Sequence, residues 1–249
     1  MPRRPRTLSE KGHYHVIIRG SGKQLLFEDD ADYERFLSYL DDMLARHDIK
    51  LLAWCLMSNH VHLLIDDAKN NLSAFAHDLS TAYAVYFNTK YSRSGPVFDG
   101  RFKSVSIESD RQLLSAVLYI HANPVKAGIA TMESYRWSSY SEYASERHMR
   151  THTAPVLDLL NGVVGFMELS CDPTYQSYLF RDGVRMDDAE AAMVASDVLD
   201  GEDLGTVRSL EKTQRNLVLH RLRAAGLSIK QVARLTGISE STVARYTRR

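Results

Sequence analysis

The order of the apolar segments in the first 122 residues is the feature that most restricts the fold. Short stretches rich in β-branched and aromatic residues predict strands, and stretches with apolar residues three and four apart predict helices. The order is strand, helix, strand, strand, helix, strand and a last helix. It predicts an α+β domain with a ferredoxin-like antiparallel sheet, helices on one face and one extra helix after the last strand. The strands are expected at 13–20, 49–57, 60–65 and 101–107, and the helices at 30–47, 71–91 and 110–122.

Charge is distributed unevenly along a chain whose net charge is zero. Residues 181–203 contain eight acidic residues against two arginines, and residues 206–249 contain ten basic residues against two glutamates. An acidic stretch followed by a basic helical one is typical of a linker that leads to a nucleic-acid-binding module. We therefore predict an α+β domain over 1–150, a helical and acidic linker over 151–205, and a basic helical module over 206–249.

The basic module contains a segment, 228–247, that predicts a helix-turn-helix. Ser228 and Ser239 are expected to cap its two helices, with a turn at 236–238 between them. The side chains expected to face a DNA groove are Glu240, Ser241, Thr242 and Arg245. The alternative is an amphipathic hairpin that packs on the first domain, but the positive charge of the module favours DNA.

Several classes of protein are excluded. No window reaches 18 apolar residues, which excludes a membrane-spanning helix. The basic start of the chain is not followed by an apolar segment, so it is not a secretory signal. The two cysteines, Cys55 and Cys171, do not have metal-binding spacing, and free thiols indicate a cytoplasmic protein.

Two histidines on the third predicted strand are candidate metal ligands. Side chains alternate across a strand, so His60 and His62 share a face, about 7 Å apart along the strand. Two imidazoles at that spacing can bind one divalent metal. The alternative is a structural pair at the end of a strand, which is the commoner origin of an isolated pattern. His13 and His15 repeat the same spacing on the first strand.

Tyr119 and Asn123 form a second candidate pair, because residues four apart share a helix face. A tyrosine hydroxyl can act as a nucleophile towards phosphorus. An amide oxygen one turn later can serve as a third metal ligand. The alternative is a packed tyrosine and an asparagine that closes the helix before Pro124.

Five sequence motifs occur in a fixed order and together carry a family resemblance: YHVIIRG (14–20), MSNHVHLLI (57–65), GPVFDGRFKSV (95–105), LYIHANPVKAG (118–128) and YRWSSY (135–140). In this order they resemble the REP-associated tyrosine transposases. These are relatives of the IS200-like transposases in the HUH single-tyrosine superfamily. The resemblance covers about residues 8–145. The combination is far more specific than the histidine pair alone.

The resemblance implies a site and a reaction. His60 and His62 match the catalytic metal ligands, Asn123 the third ligand and Tyr119 the nucleophile, with Mg²⁺ or Mn²⁺ as the cofactor. The reaction would be cleavage and rejoining of single-stranded DNA through a 5′-phosphotyrosine, at REP-like hairpin repeats. The partners would be single-stranded and hairpin DNA, with the enzyme a monomer or homodimer. A non-catalytic DNA-binding regulator with the same fold is the main alternative, and a nuclease without a joining step is another.

Other polar residues have weaker expected roles. Arg101 and Lys103 are expected to alternate on the fourth strand and to contact DNA phosphates. His121 falls on the far side of its helix from Tyr119 and is expected to face away from the metal. His15 is expected near the site, because the first and third strands are neighbours in a ferredoxin-like sheet, as a structural or DNA-facing residue and not as a ligand.

Overall fold

A computed structural model describes residues 8–145, 150–171, 191–192, 195–196, 198–199, 204–224 and 227–247. The chain divides into two compact units, Met1–Tyr178 and Leu179–Arg249, each with its own buried apolar cluster. The division falls inside the predicted linker, and the predicted domain boundaries remain predictions. Within the described residues, no helix is both long enough and apolar enough to cross a membrane.

The first unit is built on a four-stranded sheet. Its strands are β1 (His13–Arg19), β2 (Lys50–Met57), β3 (His60–Asp66) and β4 (Lys103–Ile107), arranged in the order β2-β3-β1-β4. Every pairing is antiparallel. This confirms the predicted ferredoxin-like arrangement, in which β1 and β3 are the two central strands.

The two crossover helices, α1 (Asp30–His47) and α2 (Leu72–Lys90), pack on one face of the sheet. Their buried residues share a core with alternate residues of the central strands, such as Val16 and Leu63. The two crossover helices therefore lie on one face of the sheet, as predicted. The extra helix, α3 (Asp110–His121), packs against β2 and β3 from the opposite face. Four short helices follow: α4 (Asn123–Lys126), α5 (Tyr140–Ala144), α6 (Ala154–Leu159) and α7 (Val163–Cys171).

The fourth strand starts later than predicted, and this corrects the placement of Arg101. The sequence predicts a strand from residue 101, whereas β4 begins at Lys103 and Arg101 lies in an exposed bend. The end of β1 is already paired with residues just before that bend. Phe98 bridges to Gly20, and the Asp99 amide donates to the Arg19 carbonyl at 2.8 Å. The chain must therefore turn before it can pair with β1 again.

The second unit contains a 3-10 segment (Leu204–Ser209) and the helices α8 (Lys212–Ala224), α9 (Ile229–Thr236) and α10 (Glu240–Tyr246). The Ser228 hydroxyl accepts the Gln231 amide at the start of α9, and the Ser239 hydroxyl does the same for Thr242 at the start of α10. Gly237, with φ of 66°, ends α9 in a left-handed conformation. Val232 and Val243 are fully buried. The predicted helix-turn-helix is confirmed.

Candidate active site

Two histidines at the start of β3 lie on the sheet face that α3 covers. His62 is 1% exposed and His60 is half-buried, and their ring centroids are 4.9 Å apart. The intervening Val61 points into the core under α1 and α2. The strand thus separates the two imidazoles from the main core and brings them together, as the alternation in the sequence predicts.

Each imidazole is held through its Nδ1 atom. The Nδ1 of His60 lies 2.7 Å from the side-chain oxygen of Asn59, the residue before it in the β2–β3 turn. The Nδ1 of His62 lies 2.9 Å from Nε2 of His15 on β1, which is completely buried. Both rings are therefore fixed in orientation by a hydrogen bond on the same nitrogen.

Helix α3 brings Tyr119 beside His62 and His15. Its ring centroid is 5.8 Å from that of His62 and 5.9 Å from that of His15. The ammonium of Lys126 lies 4.1 Å from the centre of the Tyr119 ring. One turn after Tyr119, the amide nitrogen of Asn123 donates to the Tyr119 carbonyl at 2.8 Å, and its side-chain oxygen is the atom that can serve as an acceptor or ligand.

The electrostatic environment keeps the central imidazoles neutral. Burial lowers the pKa of His62 well below its usual value, and His15, His60, Lys126 and Arg19 each lower it further. Burial lowers the pKa of His15 to about 3. A neutral imidazole is the form that binds metal. The same positive charges favour an anionic ligand such as a phosphodiester.

The donor set suits a divalent cation only if the asparagine takes part. Among the residues that the structure describes, no group of three or more His, Cys, Asp or Glu side chains forms a metal site. His60, His62 and Asn123 offer two imidazoles and one amide oxygen. Three protein ligands leave coordination positions open for water or a phosphate oxygen, which is the pattern of a catalytic site and not of a closed structural one.

Three residues around this site were not predicted from the sequence: Arg19, Lys126 and Asn59. Arg19 is paired directly with His60 in the β1–β3 ladder, and strand alternation from His15 places it on the same face. Lys126 follows Tyr119 by about two helical turns, a spacing that could have suggested its position. Asn59 lies in the turn between β2 and β3, next to His60 in the sequence. His15 lies beside the site, as predicted.

Of the weaker candidates, Lys103 lies on the site face of the sheet. It pairs with Ile17 of β1, which in turn pairs with His62, so the three share one row across the sheet. Lys103 is exposed at the edge strand, and Arg101 is exposed outside it. Neither has a contact that assigns it to DNA.

A cleft in the second unit is lined by two of the four residues predicted to face a DNA groove. It has a volume of about 640 Å³, and its lining includes Thr242 and Arg245 of α10 together with Arg208 and Arg215. The Nε of Arg215 is buried and has no hydrogen-bond partner among the described residues. Ser241 is exposed on α10 and does not line the cleft.

A comparison with family models gives two matches. The model described as "Transposase IS200 like" matches residues 9–123, which extend from the segment before β1 to Asn123 and include every candidate site residue of the first unit except Lys126. Over this segment, a little under half of its length, the chain is similar to the IS200-like transposases. A second model, for homeodomain-like domains, matches residues 209–249 and covers the helix-turn-helix.

One solved structure supports the fold of the first unit. A REP-associated tyrosine transposase bound to a REP hairpin matches with a TM-score of 0.52 and 16% identity, over 65% of this chain and 97% of that one. A proposed transposase from Deinococcus radiodurans R1 matches over 52% of this chain and 99% of that one, at 14% identity, but its TM-score of 0.35 is too low to support an argument. No curated protein gives a significant match.

His121 faces away from the candidate site, as predicted. It is fully buried among Tyr140, Tyr143 and Phe166, and its Nε2 lies 2.8 Å from the Ser139 hydroxyl. Its Nδ1 has no hydrogen-bond partner among the described residues. Burial lowers its pKa to about 3. A buried neutral histidine of this kind makes stability depend on pH.

We expect His121→Gln to reduce the loss of stability in mild acid. Since the folded-state pKa lies below the unfolded value of about 6.5, the unfolded state binds the additional proton, and stability falls as pH drops below about 6.5. Each such histidine contributes up to about 1.4 kcal/mol per pH unit. Glutamine can keep the bond to Ser139 without titrating. Urea unfolding at pH 7.5 and 5.0 measures the slope, and an equal slope in the variant would contradict this assignment.

Proposed function

We propose that the protein is a metal-dependent single-strand DNA endonuclease and strand transferase that acts at REP-like hairpins through a 5′-phosphotyrosine. The observation that carries the proposal is the Tyr119 ring placed 5.8 Å from the neutral His62, within the segment that matches the transposase family. The structural neighbour bound to a REP hairpin supports the choice of substrate. A cytoplasmic location fits an enzyme that acts on chromosomal DNA.

The residues that would hold a Mg²⁺ or Mn²⁺ ion are His60, His62 and Asn123. When bound, the ion would supply Lewis-acid polarisation of the scissile phosphate. The imidazole of His62 would remain neutral at pH 7, because burial and the nearby positive charges disfavour its protonated form. Asn123 would contribute its side-chain oxygen, since its nitrogen is bound to the Tyr119 carbonyl.

Tyr119 would act as the nucleophile. Its hydroxyl oxygen forms a bond to phosphorus and gives up its proton, while the bond from phosphorus to the 3′ oxygen breaks and that oxygen takes a proton. The products are a tyrosine ester of the 5′ phosphate and a free 3′ hydroxyl. Because one phosphodiester is exchanged for another, a 3′ hydroxyl can reverse the step and rejoin the strand without ATP.

Lys126 and Arg19 supply the positive charge that this chemistry requires. A free tyrosine has a pKa near 10 and is mostly protonated at pH 7. The Lys126 ammonium, 4.1 Å from the centre of the Tyr119 ring, stabilises the negative charge that develops on the phenol oxygen. Arg19, opposite His60, is placed to attract the phosphate, and Lys103 extends the same charged row towards the sheet edge.

The helix-turn-helix would provide a second contact with DNA. Its candidate residues are Ser241, Thr242 and Arg245 on α10, with Arg208 and Arg215 in the adjoining cleft. Arginine side chains bind phosphate oxygens through a planar fork, and α10 has the place of a recognition helix. The homeodomain-like match also favours the second candidate function, a DNA-binding regulator without catalysis. The two functions differ in whether Tyr119 forms a covalent bond to DNA.

We expect Tyr119→Phe to abolish the covalent DNA adduct and to leave hairpin binding largely unchanged. The change removes only the nucleophilic oxygen and keeps the ring that packs beside His15 and His62. The adduct is measured by denaturing gel after incubation with 5′- and 3′-labelled hairpin DNA. Tyr39→Phe, on α1 of the opposite layer, is the matched control and should form the adduct normally. An adduct that persists in Tyr119→Phe rules out this nucleophile, and a wild type that forms none favours the regulator.

We expect His60→Ala and His62→Ala each to abolish Mn²⁺-dependent cleavage at limiting metal, because either change leaves an incomplete ligand set. The loss should be at least 100-fold in the cleavage rate. The assay titrates MnCl₂ against single-turnover cleavage of the labelled hairpin. His77→Ala, at an exposed position on α2, is the matched control. Normal cleavage by both site variants would show that the pair is structural.

We expect removal of residues 206–249 to weaken DNA binding and to flatten its dependence on salt. Each phosphate contact that is lost should lower the log–log salt slope by about 0.9 for duplex or 0.7 for single strands. The first unit has its own core and should stay folded. Arg245→Gln should remove part of the same slope, and Arg221→Gln, which does not line the cleft, is the control. An unchanged slope would make the module a packing or dimerisation element, and faster cleavage would make it a regulator of access.

A further inference from the structure

The two histidines among the candidate metal ligands, His60 and His62, share one feature that the proposed function leaves unexplained. The Nδ1 atom of each ring is hydrogen-bonded to another side chain. We propose that Asn59 and His15 are positioning residues that fix the tautomers of His60 and His62, so that each imidazole presents its Nε2 lone pair to a divalent cation. The inference rests on the metal-dependent function proposed above. It assigns a role to two side chains that are not themselves ligands.

For His60 the tautomer follows from the partner. The side-chain oxygen of Asn59 can only accept a hydrogen bond, so at 2.7 Å the Nδ1 of His60 must donate. A neutral imidazole carries one proton, and placing it on Nδ1 leaves the lone pair on Nε2. Asn59 is the residue before His60 in the β2–β3 turn. The hydrogen bond between them is therefore local and depends little on the rest of the fold.

For His62 the partner is another imidazole, and the choice between tautomers has consequences. If His15 donates from Nε2, the Nδ1 of His62 accepts, its Nε2 is protonated, and the ring cannot bind metal through that atom. If His62 donates from Nδ1, the Nε2 of His15 accepts and the lone pair of His62 lies on Nε2. The bond is 2.9 Å long between two residues that are 0% and 1% exposed. Only the second arrangement lets both ligands use the same nitrogen.

The geometry of β1 holds the His15 imidazole against His62. His15 is held on a central strand, paired with Leu64 on one side and Val105 on the other, so its ring cannot move away from His62 without disturbing the sheet. Burying an imidazole costs more desolvation free energy than burying an aliphatic side chain at the same position. A hydrogen-bonding role therefore explains His15 better than packing alone.

The first test is to read the tautomers directly in the full-length protein without metal. Long-range proton–nitrogen NMR correlations distinguish imidazoles protonated on Nδ1 from those protonated on Nε2. We expect His60 and His62 both to be protonated on Nδ1. A His62 protonated on Nε2 in a protein that binds Mn²⁺ would overturn the inference and leave the proposed function standing. A wild type with no Mn²⁺ binding would overturn the metal-dependent function instead.

The second test uses variants with and without a hydrogen-bond acceptor. His15→Phe removes the acceptor, and His15→Gln restores one through its side-chain oxygen. We expect His15→Phe to shift His62 towards the Nε2-protonated form and to weaken Mn²⁺ binding about 10- to 100-fold by calorimetry, with rescue in His15→Gln. His13→Phe, two residues away on the same strand face, is the matched control and should change neither readout.

The third test uses a variant of the other positioning residue, Asn59. Asn59 lies in a turn and is half-buried, so Asn59→Ala should fold even if His15→Phe does not. We expect Asn59→Ala to release His60 into a mixture of tautomers and to weaken Mn²⁺ binding, while thermal unfolding changes little. Unchanged tautomers and unchanged Mn²⁺ affinity in Asn59→Ala and in the folded His15 variants would show that both residues only pack.

Discussion

The alternation of side chains along β3 is the constraint on which the candidate site depends. This strand is covered on both faces, with Val61 and Leu63 in the core under α1 and α2, and His60 and His62 under α3. A shift of one residue would send the imidazoles into the apolar core and the aliphatic residues to the site. Pairing with β1 on one side and β2 on the other prevents that shift. The packing of the core therefore fixes the positions of the two imidazoles.

The electrostatics of the site follow from the same burial. Burial and the positive charges of Arg19 and Lys126 both disfavour a protonated His62, so its imidazole stays neutral. The site thus combines neutral nitrogen donors with positive surroundings. That combination suits a phosphodiester with a divalent ion better than it suits a general base, which would have to take up a proton in the same positive field.

Much of the fold was predictable because its signals are local. Hydrophobic periodicity placed the strands and helices, and serine caps with Gly237 placed the helix-turn-helix. The start of β4 was not predictable, since it depends on Phe98 and Asp99 already occupying the end of β1. The bond between His15 and His62 and the position of Lys126 over Tyr119 depend on strand register and on how α3 crosses the sheet. No pattern within a short window contains that information.

In the proposed function the two units would bind different forms of DNA, and this bears on the kind of substrate that one chain can use. A tyrosine that must reach a phosphodiester in line, under a helix and beside a sheet, requires a flexible single strand. A helix-turn-helix is shaped for the groove of a duplex. A hairpin with single-stranded flanks offers both forms within a few nucleotides. If the units bind at once, the linker sets the effective concentration of the second contact, so a weak duplex contact would strengthen binding without any change in the catalytic unit. The uneven charge of the chain is consistent with this division, because the positive charge is concentrated where a duplex backbone would be held.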